Sequence, residues 1–176
     1  GIISVLATAK LDNNKINKEN SKLIYPSPRG GLLNQGLVED FSSVSEVTLL
    51  CGRYEGVDQR VLEEYGFEEI SIGDYILSGG EIAAYTIIDA CIRKINSVIG
   101  NALTHDEESF GNGIYSHLLE YPQYTKPSVW RGKKVPNILK SGNHAEISKW
   151  RLKQSEELTD RNRPDLWELY LKDKGN

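Results

Sequence analysis

Glu46-Val47-Thr48-Leu49-Leu50-Cys51-Gly52-Arg53-Tyr54-Glu55-Gly56-Val57-Asp58-Gln59-Arg60 changes character twice within fifteen residues. Glu46 to Leu50 is a short apolar run that reads as a buried strand. It leads straight into a loop carrying Gly52 and Gly56, and a helical stretch follows from about Asp58 to Tyr65. Strand, glycine loop, helix is the repeating step of a parallel α/β sheet.

The same alternation extends to both sides. Upstream, Ile2, Ile3 and Val5 form a short strand candidate. Lys22-Leu23-Ile24-Tyr25 is another, closed off by Pro26-Ser27-Pro28-Arg29-Gly30-Gly31. Leu33, Leu37 and Phe41 recur at the spacing of one helix face. Downstream, a strand from about Glu68 to Ile72 leads into a loop, Gly73 to Gly80. A long apolar-faced helix follows from Glu81 to about Ile99, ending at Gly100. The expected fold is α/β, with helices packed on a mostly parallel sheet.

After Gly100 the composition shifts. Residues 101–114 are polar, with Asp106, Glu107 and Glu108 in succession, and read as a linker. From about Ile114 the chain reads as helical and basic, with Tyr115, Tyr121, Tyr124 and Trp130 set among Lys126, Arg131, Lys133 and Lys134. Ser141 and Asn143 are candidate caps for a helix from His144 to Glu157, and Pro164 suits the first turn of a last helix. The predicted organisation is therefore residues 1–100, a linker at 101–114 and a helical domain at 115–176.

With 176 residues, 39% hydrophobic and 26% charged, the chain is an ordinary globular one, long enough for one domain and a smaller appendage. No apolar run approaches the ~18 residues of a membrane-spanning helix. Cys51 and Cys91 are too few for a disulfide framework and have no metal-ligand spacing, so a reduced, cytoplasmic setting is expected. His105, His117 and His144 form no metal set either. The net charge of −4 argues against a polyanionic partner until the chain is divided. Residues 1–114 hold 9 Lys+Arg against 17 Asp+Glu, whereas residues 115–176 hold 12 against 8. The basic excess lies in the part that also carries the interleaved aromatics, a pattern suited to RNA: cations meet phosphates and aromatic rings stack on unpaired bases. The competing structural reading of that segment is an amphipathic helical subdomain with a solvated face.

Ligands of open α/β sheets bind beyond the carboxyl ends of the strands. Three loops occupy that position: Pro26–Gly31, Cys51–Gly56 and Gly73–Gly80. None is a dinucleotide or P-loop fingerprint, since G-x-G-x-x-G and G-x-x-x-x-G-K-[ST] are both missing. The strings themselves are more specific. Cys51 to Arg60 resembles a signature of the bacterial tRNA (guanine-N1)-methyltransferases of the TrmD type, members of the α/β-knot (SPOUT) class. So does Ser71-Ile72-Gly73-Asp74-Tyr75-Ile76-Leu77-Ser78-Gly79-Gly80-Glu81. Tyr121-Pro122-Gln123-Tyr124-Thr125-Lys126-Pro127 matches a third family motif. Ser141-Gly142-Asn143-His144-Ala145-Glu146-Ile147, followed by Trp150 to Ser155, matches a fourth.

The resemblance implies a deep trefoil knot whose loops bind S-adenosyl-L-methionine. It places Gly52 and Ile72, Gly73, Asp74, Tyr75, Ile76 and Leu77 on the cofactor, with Tyr25, Pro26, Tyr54, Gly79 and Gly80 lining the same pocket. Glu55 would face the cationic methionine end; alternatively it is a solvated turn carboxylate. The implied reaction is methyl transfer to N1 of the guanosine just 3′ of the tRNA anticodon, in a homodimer whose sites are built from both subunits. Arg93 matches the family's catalytic arginine, which would stabilise charge on O6; its structural alternative is a cation at the helix C-terminus favoured by the dipole. The general base is a departure. Where the family usually has Glu-Asp-Ser-Phe, this chain has Glu107-Glu108-Ser109-Phe110. Glu108 takes the aspartate's place with one more methylene, and Asp106 is the alternative base. In that dimer Glu108 would serve the cofactor held by the other chain.

A second departure is that Gly1–Ser4 resembles the family's first strand, while Val5–Ala9 resembles a helix that normally comes much later. Either residues between Ser4 and Val5 are absent from the sequence as written, which the lack of any methionine favours, or the chain carries a deletion. Two other functions stay open at this point: a catalytically impaired tRNA-binding protein of the same fold, and a knotted methyltransferase acting on another RNA nucleotide.

Overall fold

The computed structural model describes residues 20–95, 108–111 and 113–175. The expected strand at Ile2–Val5, the Ser4–Val5 junction, Asp106 and the end of the helix expected at Ile99 lie outside these residues. The chain divides between Gly100 and Asn101 into two compact units.

The first unit is built on a three-stranded parallel sheet. Its strands are β1 (Ser21–Leu32), β2 (Glu46–Leu49) and β3 (Glu68–Ser71), in the order β2-β1-β3. Side chains alternate across a strand, and the central strand uses both faces. Leu23 and Tyr25 pack on one face with Leu62 and Phe67. Ile24, fully buried, packs on the other with Phe41, Ile70 and Ile87. Helices cover both faces accordingly. α2 (Gln59–Tyr65) supplies Leu62 to the first, while α1 (Gln35–Ser43) and α3 (Glu81–Ile92) supply Phe41 and Ile87 to the second. Asn34 caps α1 by accepting from the Leu37 N–H at 3.0 Å. The spacing of Leu33, Leu37 and Phe41 thus marks the inward face, although Leu33 precedes the helix and the buried Val38 adds to the face.

Two boundaries differ from the sequence expectation. The strand that Pro26 was expected to close instead bulges and resumes. Pro26 and Gly31 both pair with Ile70, so residues 27–30 loop out of the ladder between them. Pro26 and Pro28 lack the N–H that regular pairing needs, which suits them to a bulge. Resumption depends on Gly30, because a Cβ there would overlap the Glu69 carbonyl group and the Ile70 nitrogen. The second difference is α3, which ends at Ile92 with Arg93 as its C-cap. The N–H groups of Lys94 and Ile95 reach back only three residues, to Cys91 and Ile92, tightening the last turn.

In the second unit the expected helices at the end of the chain are present. α4 (His144–Asn162) starts at Asn143, whose side chain accepts from the Glu146 N–H, and α5 (Pro164–Lys174) has Pro164 in its first turn. The helical reading from Ile114 does not hold before His144. That stretch forms two 3-10 turns, Gly113–Tyr115 and Asn137–Lys140, and a hairpin of β4 (Val129–Trp130) and β5 (Lys133–Lys134). Pro122, Pro127 and Pro136 cannot donate within a helix and break any continuous one. The core of this unit is Tyr115, Leu118 and Tyr170, with Leu152 and Trp167 against them. The Tyr170 hydroxyl donates to Glu156 at 2.6 Å, and Lys174 pairs with the same carboxylate at 2.8 Å.

Candidate functional site

Gly52 leaves β2 with the Tyr25 ring lying against it; a Cβ would sit 2.8 Å from the Tyr25 hydroxyl. Its carbonyl accepts the Gly80 N–H at 2.9 Å. Gly80 comes so close that a Cβ would lie 3.0 Å from Cys51 Cα, and Arg53 and Gly79 form an isolated antiparallel bridge. The loops after β2 and β3 are therefore joined along their backbones. Arg53 adds an outer clasp, with its guanidinium 2.6 Å from the Glu81 carboxylate. The backbone N–H of Glu81, at the start of α3, holds that carboxyl below its usual range, and Arg53 adds to the effect. Burial, and the nearby Glu81 charge, push the Cys51 thiol up.

The loop after β3 folds over itself. Ser71 Oγ accepts from the Gly73 N–H at 3.2 Å, and Tyr75 Oη donates to the Ile72 carbonyl at 3.2 Å. Gly73 has φ +146°, and a Cβ there would lie 2.5 Å from the Tyr75 ring, so the ring lies where only glycine leaves room. The β1 bulge forms the third wall. Ser27 Oγ accepts from the Arg29 N–H, and the Arg29 side chain reaches across to Glu69 at 3.0 Å and Gln59 at 3.1 Å.

These three segments enclose a cavity of about 360 Å³, lined by 25–29, 52–57, 70–73, 75–80 and Ala83. That volume lies within the ~300–1,000 Å³ of small-ligand sites. Twelve of the thirteen residues expected at a ligand site line it: Tyr25, Pro26, Gly52, Tyr54, Glu55, Ile72, Gly73, Tyr75, Ile76, Leu77, Gly79 and Gly80. Asp74 is the exception. It is exposed and lies outside the lining, on the turn that lays the half-exposed Tyr75 ring over Gly73. Ser27, Arg29, Arg53 and Ala83 also line the cavity, although the sequence did not mark them as ligand residues. Arg53 stood within the quoted motif, whereas the Arg29 contacts span 30 and 40 residues of chain and leave no local signal.

Asp58 begins α2 at the cavity's edge, accepting from the Arg60 N–H at 2.9 Å and from its guanidinium at 2.7 Å. The guanidinium first, then that N–H, bring its pKa down to about 2. A depressed carboxyl pKa stabilises the fold above its unfolded value of ~4, and the contribution is lost as pH falls through the folded value. Carbon-detected NMR of the folded chain should show Asp58 titrating near pH 2; a midpoint at the unfolded value would remove the Arg60 contacts from solution.

The two residues expected to act on a substrate lie outside this lining. Arg93 caps the far end of α3, ten residues beyond Ala83, or ~15 Å along the helix axis, farther than a side chain reaches. Glu108 is half-buried in the second unit. It opens a turn in which its carbonyl accepts the Gly111 N–H at 2.9 Å. The next residues pin that turn: Ser109 Oγ accepts the Glu120 N–H at 2.8 Å, and Phe110 donates to Leu118 at 3.2 Å. Residues 108 to 110 are thus tied to Gly111, Leu118 and Glu120. Among the described residues no group of His, Cys, Asp and Glu is placed to hold a metal ion, and no helix is long and apolar enough to cross a membrane.

A parallel sheet covered on both faces, with glycine-bearing loops closing a cavity at its strand exits, defines an α/β protein of the open-sheet kind with a candidate small-ligand site. The family model described as tRNA (Guanine-1)-methyltransferase TrmD matches residues 4–169, and the chain belongs to this family. It is 51% identical to the tRNA (guanine-N(1)-)-methyltransferase of Ruegeria pomeroyi over 151 residues, covering 86% of this chain and 60% of that protein. To the protein of that name from Roseobacter denitrificans it is 54% identical over 145 residues, 82% of this chain and 58% of the relative. To that from Pelagibacter ubique it is 50% identical over 162 residues, 92% and 68%. The chain thus spans about three fifths of the length of the first two relatives.

Proposed function

We propose that this chain is the S-adenosyl-L-methionine-binding and tRNA-binding part of a methyltransferase acting on N1 of the guanosine 3′ of the tRNA anticodon. The observation that carries this reading is the cavity itself: the family's two glycine-bearing signatures, 51 to 60 and 71 to 81, meet on it.

The lining fits such a cofactor. Glycines at 52, 73, 79 and 80 let a ligand approach the backbone closely, as reading an adenine edge requires. Ile72 and Leu77 offer apolar flanks, and Glu55 offers an anion for a cationic end. When bound, the cofactor supplies an electrophilic methyl group on its sulfonium sulfur. The protein's own work lies in the two groups beyond the cavity. The Glu108 carboxylate takes the N1 proton as the methyl group arrives. The Arg93 guanidinium holds the negative charge that develops on O6. Arg93 cannot reach the cavity of its own chain, so these roles require a homodimer in which each cavity is completed by the partner chain. Ile82, Tyr85, Ile88 and Ile92, exposed along α3, supply apolar surface for that pairing. The trefoil knot belongs to the same proposal. Residues 73–80 double back across Gly52 and Arg53 before α3 packs on the α1 side of the sheet, a path in keeping with one. In this organisation residues 1–100 bind the cofactor, 101–114 link, 115–176 meet tRNA, and the protein works in the cytoplasm.

The test is transfer of a radiolabelled methyl group from S-adenosyl-L-methionine to two tRNA transcripts, one with and one without guanosine 3′ of the anticodon. Incorporation is expected into the first alone. No transfer to either overturns the enzyme reading, and equal transfer overturns the position assigned.

A further inference from the structure

The aromatic and basic residues of the second unit separate into two sets. Tyr115 and Tyr121 are buried, and Arg151 lies over the Tyr121 ring at 4.7 Å, so this pair holds the unit together. Tyr124 is tilted against Trp150 at 6.2 Å. Trp130 is different: it is 57% exposed on a two-stranded hairpin, directly across from Lys133. Arg131 lies over its ring at 5.0 Å, and Val129 faces Lys134. The hairpin turn is Arg131-Gly132, with φ of +49° and +78°. Such turns favour Asn-Gly, and an arginine in the left-handed region is strained. Placing a guanidinium at this tip, over an exposed indole, therefore opposes the local conformational preference. The charge is one-sided as well. Residues 121–145 contain Lys126, Arg131, Lys133, Lys134 and Lys140 and no Asp or Glu.

We propose that this hairpin, Val129 to Lys134, is an RNA-docking element, with Trp130 and the Arg131 plane stacking on an unpaired base and Lys133 and Lys134 meeting phosphates. The inference rests on tRNA being the substrate. It narrows contact to one hairpin and removes Tyr115 and Tyr121 from it. An indole stacked under a guanidinium is a base-sized π surface with fixed positive charge beside it. That combination favours a single-stranded polyanion over an apolar protein groove.

Binding of the full chain to a tRNA transcript, by fluorescence anisotropy across a salt series, tests it. Trp130→Ala should weaken binding about tenfold and Trp130→Phe should restore most of the loss, since the effect of stacking follows the ring. Lys133→Gln with Lys134→Gln should flatten the slope of log K against log salt by about 1.5. S-adenosylhomocysteine binding should be unchanged in every variant, which also reports the first unit's folding, and far-UV circular dichroism checks the second. Wild-type affinity and salt slope in these variants would overturn the docking element and leave the tRNA reading standing. No tRNA binding by the unaltered chain would overturn both.

Discussion

Glu108→Gln should lower methyl transfer to tRNA by about 10²–10⁴-fold and leave S-adenosylhomocysteine affinity unchanged. The substitution conserves size and polarity but removes the basic oxygen, which in the proposed reaction leaves the N1 proton without its acceptor. The turn keeps the bonds made through Ser109, Phe110 and Gly111 in this variant. The cavity is built from first-unit residues alone. Asp106→Asn is the companion variant. If Asp106 were the base, it would show the loss and Glu108→Gln would run near the wild-type rate, an outcome that withdraws the role from Glu108. A misplacement of ~1 Å can cost ~10²-fold. Glu108→Asp, which restores the shorter side chain usual in the family, therefore measures whether this protein has adjusted its geometry to the extra methylene.

How far the fold and the site were legible in the sequence depends on the range of the interactions. The strand-loop-helix step at residues 46 to 65 was legible because each part depends on near neighbours: an apolar run, Gly52 and Gly56 where the chain turns, and Asp58 capping α2. The glycine loops were legible as loops for the same reason, but their contacts were not, since Gly52 and Gly56 meet the distant Tyr25 and Gly80 meets Cys51. The resumption of β1 after its bulge was not. Pro26 and Pro28 announce an end to regular pairing, and only the distant Ile70, by pairing twice, shows that the strand continues. Tyr115 and Tyr121 misled in the opposite direction. Set among cations they look like stacking platforms, but Leu118, Trp167 and Arg151, brought together by the fold, bury them. The end of α3 also escaped, because its apolar residues run on past Ile92 while the hydrogen bonding tightens there.

Gly30→Ala should destabilise the first unit by about 3 kcal/mol, at the upper end of overpacking costs, because the added methyl meets main chain instead of a side chain that can rotate away. For a unit of this size that corresponds to a melting temperature roughly 10–20 °C lower. The control is adjacent. A Cβ at Gly31 meets nothing within 4 Å, so Gly31→Ala should stay within about 0.5 kcal/mol of the parent. Neither glycine has a positive φ, which makes the contrast one of space and not of backbone freedom. The effect should also reach the ligand site. Residues 27–30 form the bulge that walls one side of the cavity, and Arg29 anchors it to Glu69, one of the residues the new methyl would displace. Gly30→Ala should therefore weaken S-adenosylhomocysteine binding even at temperatures where the chain remains folded, while Gly31→Ala should bind it normally. Equal melting temperatures for the two variants would mean that β1 does not return to β3 at Gly31, and the cavity would lose that wall.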